Sequence, residues 1–205
     1  MKSATQPLLT WKVMLLSAFV LLFSNLVTMS DAHGMMTSPR ARNEVAATDG
    51  LDSGKQAGFP PKEYCSHCLN ENSGVCGKTR LRNYDDYFDT NGNPMPWISD
   101  KVYQEGDIIT VTSHLSTHHN GHMEVRACPL GRDSDQACFD TDGHELVFVR
   151  DIYHDMPADP EYPERGYYSG GQSGGIKDFK MEFQLPQNMY GNQVLLQWKY
   201  ITANR

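Results

Sequence analysis

Hydrophobic and polar positions alternate most clearly in the second half of the chain. Phe179, Met181, Phe183 and Leu185 fall on one face of a run whose intervening residues are mostly polar, the period-two pattern of a half-buried strand. Shorter runs rich in Val, Ile, Thr, Leu and aromatic residues occupy 108–112, 123–127, 146–149 and 194–200, separated by turn residues. No stretch of comparable length carries a helical period. Several short alternating strands with turns between them predict an all-β domain, an immunoglobulin-like antiparallel β-sandwich.

Two regions break this pattern. Residues 40–100 are rich in Gly, Pro, Asn and Asp and contain three cysteines, which predicts long loops stapled by disulfides. The segment Ser169-Gly170-Gly171-Gln172-Ser173-Gly174-Gly175 predicts a flexible surface loop. The sequence contains no internal repeat, no Asn-x-Ser/Thr site and no sign of a second domain.

The N-terminus reads as a targeting segment. Lys2 and Lys12 flank an apolar run over 13–27, and Ser30-Asp31-Ala32 supplies a cleavage site, so residues 1–32 are expected to be a signal peptide and 33–205 the mature domain. The run is shorter than the roughly 20 apolar residues a membrane span requires. A secreted, extracellular, monomeric protein with no membrane association is expected. The chain has 18 basic and 25 acidic side chains, and removing Lys2, Lys12 and Asp31 leaves 16 against 24. That acidic balance argues against nucleic acid as a partner, because phosphate binding needs a basic face.

All five cysteines, Cys65, Cys68, Cys76, Cys128 and Cys138, follow the signal and would meet an oxidising compartment. Their odd number leaves either a free thiol or a partner beyond Arg205, and the ending at Thr202-Ala203-Asn204-Arg205 favours a domain truncated at its C-terminus. Cys65-x-x-Cys68 also has the spacing of a redox pair or, with His67 and Cys76, of a zinc knuckle, although structural disulfides suit a secreted chain better.

Candidate chemistry lies in the eight histidines. Cleavage after Ala32 makes His33 the N-terminal residue, whose α-amine and imidazole can chelate one metal, and nitrogen donors of this kind suit copper. His118, His119 and His122 cluster at a predicted turn, Thr117-His118-His119-Asn120-Gly121-His122, from which an imidazole can be aimed at a metal held elsewhere. Solvated loop histidines are the competing reading. The acidic stretch from Asp155 to Glu161 is punctuated by prolines and reads as a solvated loop rather than a catalytic carboxylate pair. His-Glu-x-x-His does not occur.

Five stretches carry a resemblance to a known family. They are His33-Gly34-Met35-Met36-Thr37-Ser38-Pro39-Arg40; Tyr64-Cys65-Ser66-His67-Cys68 with Cys76-Gly77; Leu115-Ser116-Thr117-His118-His119-Asn120-Gly121-His122 running into Ala127-Cys128-Pro129; Gln136-Ala137-Cys138-Phe139-Asp140; and Val194-Leu195-Leu196-Gln197-Trp198-Lys199-Tyr200 before Thr202-Ala203-Asn204. In these the chain resembles the lytic polysaccharide monooxygenases, specifically the chitin-binding type-4 group close to auxiliary activity family fifteen.

The resemblance implies a secreted copper enzyme that cleaves an insoluble polysaccharide oxidatively, chitin first and cellulose second, using an external electron donor. It implies that His33 and His119 are the catalytic, metal-holding residues, with His118 and His122 as neighbours. It also implies a Cys128–Cys138 disulfide, and one pair among Cys65, Cys68 and Cys76 with the remaining cysteine bonded beyond Arg205. Thr117 departs from the family's usual alanine, and the family's axial aromatic would lie beyond Arg205. A non-catalytic carbohydrate-binding module and a copper-holding protein with a similar brace are the alternatives.

Overall fold

The computed structural model describes residues 33–42, 45, 84, 88–99, 101–170 and 177–203. All of them belong to one compact unit, Asp31–Arg205. The expected signal peptide, the side chain of His33, and Cys65, Cys68 and Cys76 lie outside the described residues.

Among the described residues, seven strands make two sheets. β1 (His33–Ser38), β2 (Ile108–Thr117), β6 (Asp178–Gln184) and β4 (Val147–Asp151) form one, in the order β1-β2-β6-β4. β5 (Gly166–Tyr167), β3 (His122–Cys128) and β7 (Leu195–Ile201) form the other, in the order β5-β3-β7. Every pairing is antiparallel. A short 3-10 turn, Gly131–Asp133, and a single-turn helix α1, Gln136–Phe139, follow β3. The all-β sandwich expected from the alternation is what forms.

Alternation explains the packing. Ile109, Val111 and Leu115 of β2 point inward with Phe179, Met181 and Phe183 of β6, and meet Met123, Val125 and Ala127 of β3 from the opposite sheet in one buried cluster. Their outward neighbours are polar: Arg150 of β4 forms a bidentate pair with Glu182 of β6, at 2.7 and 3.2 Å. β4 is a sheet edge, and its register shifts between Phe148 and Arg150.

The structure extends the expected strands. The run at 108–112 continues to Thr117, because Ser113 can turn inward once its hydroxyl meets the buried Tyr168 phenol at 3.2 Å. β1 and the two-residue β5 were not among the predicted strands, since neither His33-Gly34-Met35-Met36-Thr37-Ser38 nor Gly166-Tyr167 alternates; both form by pairing with distant strands. The Cys128–Cys138 disulfide joins the end of β3 to α1 over a sequence separation of 10. Asp135 caps α1 by accepting the Cys138 N–H at 2.8 Å. From the loop region before β2, Tyr84 and Met95 are buried, and Trp97 is faced by the guanidinium groups of Arg42 at 4.4 Å and Arg132 at 4.7 Å.

The turn between β2 and β3 is closely packed against the end of β7. Gly121 has φ +89°, and a Cβ there would overlap the Ile201 carbonyl. An L side chain would therefore suffer both an unfavourable backbone conformation and a backbone clash. Gly121→Ala is expected to cost about 2–4 kcal/mol, lowering Tm by roughly 5–15 °C in a domain of this size. Thermal unfolding by circular dichroism measures it; an unchanged Tm would show that the turn relaxes freely.

Candidate metal centre

Antiparallel pairing brings the first residue of β1 to the far end of β2. His33 is opposite Thr117, and Gly34 opposite Leu115, with a register shift between them. Gly34 permits this approach: a Cβ there would lie 2.5 Å from Leu115 Cδ2 and 2.9 Å from the His114 carbonyl. The backbone of His33 thus sits beside a residue only two positions before His119. Chain reversal follows at Asn120, φ +55°, and Gly121, the left-handed pair expected of an Asn-Gly turn.

The three clustered histidines have different surroundings. His118 is buried, its ring against Phe179 and Tyr168 at centroid distances of 5.3 and 5.9 Å. Its Nδ1 accepts the Asn120 N–H at 3.0 Å, so Nε2 carries the ring proton and donates it to the Ser169 carbonyl at 3.1 Å. Both nitrogens are committed. Burial pulls the His118 pKa below the usual histidine value, with the bond to Ser169 opposing.

His122, first in β3, directs Nε2 to the Glu124 carboxylate at 3.1 Å. That bond, opposed by burial, holds the Glu124 pKa below the ordinary carboxylate range. His119 lies between these two and is anchored through its backbone. Its N–H donates to the Tyr200 phenol oxygen at 2.7 Å, and its carbonyl accepts the Ala203 N–H at 3.2 Å. Burial raises the Tyr200 phenol pKa.

The other described histidines point to separate partners. His114 Nδ1 meets Asp178 at 2.7 Å on the outer sheet face, His144 Nδ1 donates to the Cys138 carbonyl at 2.6 Å, and His154 lies 3.6 Å from Asp151. Among the described residues no group of three or more His, Cys, Asp or Glu side chains is placed to hold a metal ion. The Asp155–Glu161 stretch is irregular backbone, with Asp159 accepting the Glu161 N–H and the Tyr167 hydroxyl.

A family model described as lytic polysaccharide mono-oxygenase, cellulose-degrading, matches residues 33–205. The chain belongs to the lytic polysaccharide monooxygenases. Enzymes of this family are copper-dependent and act on polysaccharide, so copper is the metal against which these histidines are to be weighed. The chain is also similar to a solved structure titled as the AA15 lytic polysaccharide monooxygenase from Thermobia domestica in the Cu(I) state, at 25% identity and a TM-score of 0.39. That match covers 50% of this chain and 47% of the other, about half the length of each. No curated protein matches.

The sequence could not separate His118 from His119 on residue type alone. In the sequence Tyr200 is simply a strand residue, and its contact with His119 spans a sequence separation of 81. No sequence signal announces the pairing, which sets Tyr200 opposite Met123 only in the folded sheet.

The His118 environment gives a pH prediction. Its folded pKa lies below the unfolded value of about 6.5, so its contribution is complete above the unfolded value and is lost as pH falls from there through the folded value. Tm should drop between pH 7.5 and 5, and His118→Gln should flatten that part of the profile while lowering its plateau. An identical slope in wild type and variant would show that other groups carry the titration.

Proposed function

We propose that this chain is a secreted copper monooxygenase in which His33, through its α-amine and imidazole, and His119, through its imidazole, hold the metal, and which acts on chitin, with cellulose second. The observation that carries the reading is the β1–β2 register, which sets the His33 backbone opposite Thr117, two residues from His119.

The donors fit copper. Two imidazoles and an amine are neutral nitrogen ligands, which copper prefers and which leave positions open for an oxidant. Bound by these donors, copper would supply one-electron redox chemistry for oxidative cleavage of a glycosidic bond, given an external reductant and dioxygen or peroxide. The chain's own residues prepare for this by fixing positions. Gly34 lets β1 lie close against β2, His118 keeps both ring nitrogens inside the protein, and Glu124 engages His122. A site at the end of a sandwich needs no deep pocket when its substrate is a crystal surface.

Secretion is part of the reading, because the amine exists as a ligand only if cleavage falls directly before His33. N-terminal sequencing of the secreted protein should give His33, and a form retaining Ala32 should lose high-affinity Cu(II) binding. By calorimetry, His119→Ala should weaken Cu(II) binding at least 100-fold, while His144→Ala and His154→Ala leave it intact. Equal damage from His122→Ala would displace His119 from the assignment.

Loaded with copper and given ascorbate, the protein should release aldonic acid or ketoaldose oligosaccharides from chitin, or from cellulose, the substrate in the family description. Mass spectrometry separates these from the native ends left by hydrolysis. Tight copper binding and adhesion with no products would favour a non-catalytic module; copper binding with no adhesion would favour a metal carrier.

A further inference from the structure

Tyr200 takes no part in the reading above, yet its phenol oxygen contacts the backbone of His119. β2 ends at Thr117, so the His119 N–H has no partner in a strand ladder and must find one elsewhere. It finds the Tyr200 phenol oxygen at 2.7 Å. The Tyr200 ring is not free to swing away. It stands edge-on to Tyr168, with centroids 5.2 Å apart and planes at 89°, and lies over Trp198 at 6.2 Å and 30°. On the other side of the same residue, the His119 carbonyl accepts the Ala203 N–H. Both peptide groups of His119 are therefore tied to β7 and its continuation.

This has a geometric consequence. His33 takes its place from β2, a strand of the four-stranded sheet, whereas His119 takes its place from β7, a strand of the three-stranded sheet. A metal held by both would join the two layers, and its ligand spacing would depend on how firmly each residue is referenced to its own layer. Ligand placement has to hold within about 0.5 Å and 10–20° for a productive site.

We propose that Tyr200 is a positioning residue for the metal centre: by accepting the His119 backbone N–H, its phenol oxygen sets the approach of the His119 imidazole to the copper. The inference rests on the assignment of His119 as a ligand. Tyr200 does not touch metal or substrate in this scheme; it acts through the peptide of the ligand.

Tyr200→Phe removes the oxygen and keeps the ring. In the full-length protein its Cu(II) affinity should fall about tenfold, in the range seen when an outer partner of a metal ligand is removed. The Cu(II) electron paramagnetic resonance spectrum should shift, and turnover should fall with KM for polysaccharide little changed. Ser134→Ala supplies the control, since it removes another buried hydroxyl contact, to the Gly131 carbonyl, away from His119. It should lower Tm and leave the copper spectrum as in wild type. Tyr200→3-fluorotyrosine, which keeps the shape and weakens the acceptor, should give a smaller shift in the same direction, and it serves if Tyr200→Phe does not fold.

Wild-type affinity and spectrum in Tyr200→Phe, or in the fluorinated variant if that alone folds, would overturn the inference even with a lowered Tm. If His119→Ala then still loses copper, this inference alone fails. If His119→Ala keeps the wild-type spectrum, the ligand assignment fails and this inference falls with it.

Discussion

The antiparallel pairing of β1 with β2 is the interaction on which the rest of the structure depends. Here β1 begins at His33 and is in ladder contact from that residue onward. The pairing needs a residue without a side chain at position 34, because Leu115 and the His114 carbonyl fill the space a Cβ would take. It also needs β2 to be long, since a strand stopping at Thr112 would leave His33 with nothing opposite it.

The extension of β2 depends on a polar arrangement inside the sandwich. Ser113 faces inward and survives burial through Tyr168, and His118, one residue past the strand, survives through Asn120 and Ser169. An imidazole in this position has a cost that an apolar side chain would avoid. In return it ties the start of the turn to the segment after β5, so the β2–β3 reversal is held from the side as well as from β7. Tyr168 joins both arrangements, donating its backbone N–H to the Gly121 carbonyl while its ring contacts His118 and Tyr200.

What could be read from the sequence follows the range of the interactions. β6 was legible because Phe179, Met181, Phe183 and Leu185 state their own periodicity, and the Asn120-Gly121 turn because left-handed backbone has few tolerant residues. β1 was not, since its strand character comes from a partner more than seventy residues away. The pairing of Cys128 with Cys138 could not be derived from five cysteines and came from resemblance; the short distance between the end of β3 and α1 accounts for it. His118 and His119 are chemically identical in the sequence. They differ in the structure because one ring is enclosed by Phe179 and Tyr168, while the other residue is held by its peptide groups.

The outer edge at β4 has a bearing on how such a protein behaves when concentrated. An exposed strand edge invites a second molecule to add its own strand, the first step toward fibrils. Val147 and Val149 are exposed there and would favour it. The register shift between Phe148 and Arg150 spoils the even spacing of hydrogen-bonding groups that an incoming strand would match, and Arg150, bound to Glu182, places a charge on the same edge. The irregularity in β4 thereby guards the protein against self-templated aggregation.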